Sequence, residues 1–235
     1  MPNHNAGGNY RFLGAPGRPF SGGAVADPGY DMVHATFERP LALRKGLEAA
    51  AGHLAKAGRP AQAIAGFELR VPAPFNAEGF ETFNHGYVDG LKSIGLVVDG
   101  LLPAARTNVA ASAGGVSEPS IYAVSYTVPG DRGKPAFVMS GVPEEKPADL
   151  KAMLDSMMRA LSSRMADLGV SWEDATAIQL YGVDEVQGLL VEKVLRSLGP
   201  AAVHGIHWFP SLPPIEGLRL EIDVRSAGME LVLPA

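Results

Sequence analysis

A chain of 235 residues without cysteine has no disulfide staples, thiolate nucleophiles or cysteine-bound metals, so its core must hold it together. A composition that is 46% hydrophobic and 19% charged belongs to a globule and not to a disordered chain. The formal net charge of -5, with acids and bases mixed, offers no basic stripe to a phosphate backbone, so nucleic acid is not an expected partner.

The start, Met1-Pro2-Asn3-His4-Asn5-Ala6-Gly7-Gly8, lacks the basic-then-apolar pattern of a secretory signal. No apolar run approaches the roughly 20 residues that span a bilayer. The expectation is a soluble, cytoplasmic protein without membrane association.

Two short apolar stretches, 10–13 and 19–26, are divided by Gly14 and Gly17 and predict a strand pair. Over 32–57, Phe37, Leu41, Leu43, Leu47, Ala50 and Leu54 fall near helical spacing and predict one amphipathic helix. Pro40 then lies in its first turns, and Gly58 and Pro60 end it. A strand over 63–71 stops at Pro72 and Pro74. A second helix over 77–91 carries Phe80, Phe83, Tyr87 and Leu91 on one face. Strands over 105–111 and 120–128 follow, joined across Gly114-Gly115.

Pro129 to Lys134 gathers proline, glycine and charge with no apolar anchor, which predicts a linker at 130–133 between units 1–129 and 134–235. Beyond it come a strand over 136–143, a helix over 150–168 closed by Gly169, and a strand over 174–181. A helix over 184–198 with Asp184 as N-cap stops at Gly199-Pro200, and strands over 203–209 and 218–224 flank a turn at 210–214. Each half therefore reads strand, long helix, strand, shorter helix, strand, strand, with Ser21-Gly22 matched by Ser140-Gly141. The pattern predicts an α+β fold of two tandem repeats, each a mixed sheet with two helices on one face. The uncovered face predicts self-association.

Arg106, alone in the apolar run 101–110, is either a surface charge or a fixed carboxylate receptor, because its planar fork matches two carboxylate oxygens. Glu221 alternates with Leu220 and Ile222, which suits the solvated face of a strand. His204 and His207 lie three apart on a predicted strand and point to opposite faces, poor geometry for one metal ion. No metal or cofactor is expected. Trp172, Trp208 and the methionines from Met153 to Met165 read as core or packing surface.

The first half is similar to the RidA/YjgF family in Ser21-Gly22, Phe83-Asn84-x-x-Tyr87, Pro103-Ala104-Ala105-Arg106-Thr107 and Ile121-Tyr122-Ala123-Val124. The second half resembles it more distantly, through Ser140-Gly141, Val170-Ser171-Trp172-Glu173-Asp174 and Leu220-Glu221-Ile222-Asp223. The resemblance implies a chorismate-mutase-like fold in each repeat, a homotrimer, and clefts where small carboxylates bind and enamines or imines are hydrolysed with release of ammonia. Relatives deaminate aminomuconate. It assigns Arg106 to the substrate carboxylate and Asn84, Ser21, Gly22, Ser120 and Tyr122 to the cleft. The glutamate that positions water in active members falls at Ser120; in the second half that place holds Glu221, while His204 and Leu190 stand where the arginine and asparagine would be. The expectation is that Arg106 and Asn84 meet Glu221 across a repeat or subunit interface. A carboxylate binder without catalysis is the alternative, and an endoribonuclease a weaker one that the acidic balance disfavours.

Overall fold

The structure, a computed structural model, describes residues 1–113, 115–141, 149–183 and 187–234, the Gln187 side chain excepted. Gly114, Val142, Pro143 and Asp184, assigned from the sequence to a connection, a strand end and an N-cap, lie outside the described residues. The elements are β1 (Asn3–Asn5), β2 (Tyr10–Phe12), β3 (Gly23–Ala26), β4 (Tyr30–Ala42), α1 (Leu43–Lys56), β5 (Ile64–Val71), α2 (Ala77–Ser93), β6 (Ala105–Ala111) and β7 (Ser120–Pro129). They continue with β8 (Phe137–Gly141), α3 (Leu150–Leu168), β9 (Ala177–Gly182), α4 (Gln187–Leu189), β10 (His207–Phe209), β11 (Ser211–Leu212), β12 (Leu220–Ser226) and β13 (Met229–Leu233).

The strands form two sheets, ordered β11-β6-β5-β7-β4-β13 and β1-β2-β3-β8-β12-β9-β10. Within the first, β4, β7, β5 and β6 are successive neighbours, two antiparallel pairs followed by a parallel one. Within the second, β8, β12, β9 and β10 repeat that order and those senses. The sheets do not divide the chain at 130–133, because β3 pairs with β8 and β13 pairs with β4.

Alternation along the strands assigns the two faces of each sheet. On β12, Leu220, Ile222 and Val224 join Met153, Leu154, Met157, Leu161 and Met165 of α3 in one core. On β5, Phe67, Leu69 and Val71 join Leu47 and Leu54 of α1 and Phe83, Tyr87 and Leu91 of α2 in another. The opposite faces were expected to need a second subunit; within the chain they cover each other. Tyr10 donates its hydroxyl to the Ile64 carbonyl across this gap at 2.6 Å, and Gln179 on β9 donates to Glu68 on β5 at 2.9 Å.

The helix expected over 32–57 begins only at Leu43, and residues 30–42 are the strand β4. Val33, Ala35 and Phe37 alternate into the helix-covered core while Met32 and His34 are buried on the other side, a period of two that the sparse apolar spacing concealed. Pro40, without an amide donor, falls where the β4–β7 register breaks between Thr36 and Leu41. The strand expected over 203–209 shrinks to β10: Leu195–His204 is helical, interrupted by Gly199 at φ 52°. Short strands β1, β11 and β13 were not anticipated. No described helix is long and apolar enough to cross a membrane.

Gly46 lets α1 lie against β7, since a Cβ there would stand 2.5 Å from the Ile121 Cβ. Alanine gains roughly 1 kcal/mol of helix propensity over glycine, but overpacking against a strand costs about 1–3 kcal/mol. The clashing atoms belong to the branch point of Ile121 and cannot swing away, so Gly46→Ala is expected to lower the thermal midpoint. An unchanged midpoint would mean that α1 shifts freely on its sheet.

Candidate active site

A cleft of about 460 Å³ opens where β6, α2, β8 and β12 converge, and Arg106, Asn108, Ser140, Gly141 and Glu221 line it. The start of β6 places Arg106. Ser21 donates its backbone amide to the Ala104 carbonyl at 2.9 Å, and Ser140 Oγ donates to the Arg106 carbonyl at 2.6 Å.

The guanidinium of Arg106 is buried among aromatic rings, its Cζ 4.4 Å from the centroid of Phe20, 4.8 Å from Tyr87, 5.3 Å from Phe83 and 5.5 Å from Phe80. Three of these rings come from α2, whose start is capped by Asn76 Oδ1 accepting from the Gly79 amide at 2.8 Å. One turn after Phe80, Asn84 Oδ1 accepts from Arg106 Nη1 at 2.8 Å. This is the one side-chain hydrogen bond of Arg106 among the described residues, so the rest of its fork is free for a ligand. Burial pushes the Arg106 pKa down to about 10, against the opposing pull of Tyr87 and Glu221, and it stays cationic at neutral pH.

Glu221 comes from the other sheet. Oε1 accepts from the Asn108 backbone amide at 3.1 Å, while Oε2 is buried without a partner. Burial pushes the carboxyl up to about 8; Asp223 adds to the rise, while the Asn108 amide, Arg106 and Arg70 oppose it. A buried acid that is neutral at pH 7 and becomes a base after giving up its proton suits proton shuttling. The polar face of β12 that the sequence assigned to solvent is therefore packed against the first sheet.

Behind Glu221, the same face of β12 enters a closed polar network between the sheets. Gln179 Nε2 bridges Glu68 at 2.9 Å and Asp223 at 3.0 Å, and Tyr181 donates to Asp223 at 2.8 Å. Burial, reinforced by Glu68, pushes Asp223 up to about 7. Arg225 Nη1 stands 3.6 Å from both carboxylates.

Residues 2–154 and 144–231 match the family described as 2-aminomuconate deaminase CnbZ. The chain belongs to this family. A relative from Comamonas testosteroni, described as 2-amino-5-chloromuconate deaminase, is 35% identical over 245 residues and the match covers 96% of each chain. Among solved structures, a chorismatase aligns at 13% identity and a TM-score of 0.48 over 88% of this chain and 77% of its own. A YjgF/YER057c/UK114 member from Mycobacterium tuberculosis aligns at 17% identity and a TM-score of 0.27 over 39% of this chain and 78% of its own.

Of the residues singled out from the sequence, the structure brings Arg106 and Glu221 to one cleft within one chain, with Asn84 behind Arg106 as its partner and not on the cleft wall. Ser21 is fully buried: its Oγ donates to the Gly23 carbonyl at 2.7 Å and accepts from the Leu13 amide at 3.1 Å. Gly22 packs on Arg164, where a Cβ would lie 3.5 Å from Cδ. These two shape the surroundings, and it is the matching pair Ser140-Gly141 that lines the cleft. Ser120 and Tyr122 lie elsewhere. Ser120 Oγ is bonded to the Glu118 carbonyl at 2.8 Å, and the Tyr122 ring lies 3.9 Å from the Arg70 guanidinium. His204, at the end of a helical stretch, is exposed and takes no place in the cleft. The sequence reading missed Asn108; the available signal was its spacing of two from Arg106, which puts both side chains on one face of β6.

Proposed function

We propose that this protein hydrolyses the amino group of 2-aminomuconate or a close relative, releasing ammonia and leaving a 2-oxo dicarboxylate. The observation that carries the proposal is the meeting of Arg106 and Glu221 in one cleft, an anion receptor beside an acid with one unbonded oxygen. Membership of the aminomuconate deaminase family supports the substrate class. Arg18 also lines the cleft, a second guanidinium beside Arg106 that suits the second carboxylate of a dianion.

Arg106 holds one carboxylate and fixes the reacting carbon. Neutral Glu221 protonates the enamine carbon, giving an iminium and a carboxylate that offset each other. The carboxylate then takes a proton from the water that adds to the iminium carbon. The resulting carbinolamine receives that proton on nitrogen, ammonia leaves, and the hydroxyl proton returns to Glu221 as the carbonyl forms. One water is consumed, one ammonia is released and the acid is regenerated.

Ammonia release from 2-aminomuconate, measured with the purified protein, tests the reading; saturable binding of dicarboxylates without ammonia release would replace it with the binder alternative. Because the starting form carries a proton with a pKa near 8, kcat/KM is expected to fall about tenfold per pH unit above pH 8. Activity that instead climbs steadily from pH 8 to 10 would exclude Glu221 as the initiating acid.

The recurring strand order belongs to the same reading as a tandem duplication of one unit, as does the homotrimer. β10 and β13 end their sheets and expose Trp208, Met229 and Val232, the kind of edge that pairs with a second copy.

A further inference from the structure

We propose that Asn108 is the residue by which this cleft selects substrates bearing nitrogen next to the bound carboxylate; the proposal rests on the deaminase reading. Asn108 is 2% exposed and lines the cleft, yet neither its Oδ1 nor its Nδ2 has a hydrogen-bond partner. A buried amide left wholly unpaired is costly and uncommon in a folded chain, and here it stands at the wall of an open cleft where a ligand can pair it.

Its position matches the chemistry. Asn108 follows Arg106 by two residues on β6, so the two side chains leave the same face of the strand roughly 7 Å apart at their backbones. A carboxylate seated on the Arg106 fork and continuing along β6 brings its α-nitrogen toward Asn108. Meanwhile the backbone amide of Asn108 holds Glu221 Oε1, so one residue both fixes the proton donor and shares the cleft lining with it. An enamine nitrogen is a hydrogen-bond donor whose lone pair is delocalised, so it needs an acceptor, which Oδ1 supplies. Nδ2 remains to donate to the incoming water. A ligand with C–H in place of N–H leaves Oδ1 buried and unpaired, the arrangement that discriminates most strongly between near-isosteres.

The test uses Glu221→Gln, in which substrate is expected to bind without turning over, and measures by calorimetry the affinities for 2-aminomuconate and for cis,cis-muconate, which lacks the amino group. Glu221→Gln is expected to favour the amino compound by roughly ten- to hundredfold. Adding Asn108→Leu, close in volume, should abolish that preference while changing muconate affinity by less than about threefold. Asn108→Ala, which intrudes on nothing, should do the same. Thermal midpoints of both Asn108 variants guard against misfolding, and the leucine variant is expected to melt at or above its parent because two unpaired buried atoms are removed. A preference that survives both substitutions overturns the proposal, and so does an equal weakening of both ligands, which would mark Asn108 as packing. Failure of Glu221→Gln to bind either dicarboxylate, with no ammonia released by the parent protein, would instead overturn the deaminase reading and this proposal with it.

Discussion

Glu221→Gln is expected to lower kcat by about 10² to 10⁴, the usual contribution of a positioned general acid–base group, with little change in KM because Arg106 is untouched. The same substitution is expected to stabilise the protein at pH 8. The folded state raises this carboxyl from the usual value near 4.5 to about 8, so between those values the unfolded chain releases a proton that the folded chain keeps. Stability from this group is therefore fully present below pH 4.5, falls as pH rises, and is lost by pH 8; a glutamine has no such slope. Melting curves should show the variant above the parent by a few kcal/mol at pH 8 and the two converging toward pH 5. A variant that keeps more than half the activity would remove Glu221 from the mechanism, and one that melts lower at pH 8 would show that the carboxyl is not held neutral.

Arg106→Met is expected to reduce kcat/KM about 10²- to 10³-fold, chiefly through KM, because it removes charge-assisted hydrogen bonds to the substrate carboxylate and leaves the aromatic box filled by an apolar chain of similar length. Arg106→Lys should recover only part of the loss, since an ammonium cannot reproduce a planar fork or its stacking on Phe20 and Tyr87. Asn84→Ala should act in the same direction but more weakly, through the orientation of Nη1. Wild-type KM in Arg106→Met, measured with the dicarboxylate substrate, would move the anion site elsewhere.

Much of the fold could be read from periodicity. The 3.6-residue spacing of Met153, Leu154, Met157, Leu161 and Met165 located α3 at the residues where it is found, and Phe80, Phe83, Tyr87 and Leu91 did the same for the buried face of α2. Residues 32–42 read as helix because Phe37 and Leu41 sit four apart by chance in a strand whose partners, β7 and β13, come from far along the chain. The short strands escaped for a related reason: two to five residues carry too little pattern, and pairing with β2, β6 or β4 defines them.

For the site, the sequence by itself determined which side chains share a face of their own strand or helix: Arg106 with Asn108 on β6, Phe80 and Phe83 near Asn84 on α2, Glu221 with Asp223 on β12. It could not determine what lies opposite. Alternation along β12 is the same whether Glu221 faces water or a second sheet, and only the packing of the two sheets removed it from water, set an Asn108 amide against Oε1, left Oε2 and the Asn108 side chain unpaired, and raised the acid to a pKa near 8. Local spacing fixes the direction of a side chain; its solvation, and hence its protonation and reactivity, depends on the element that crosses it.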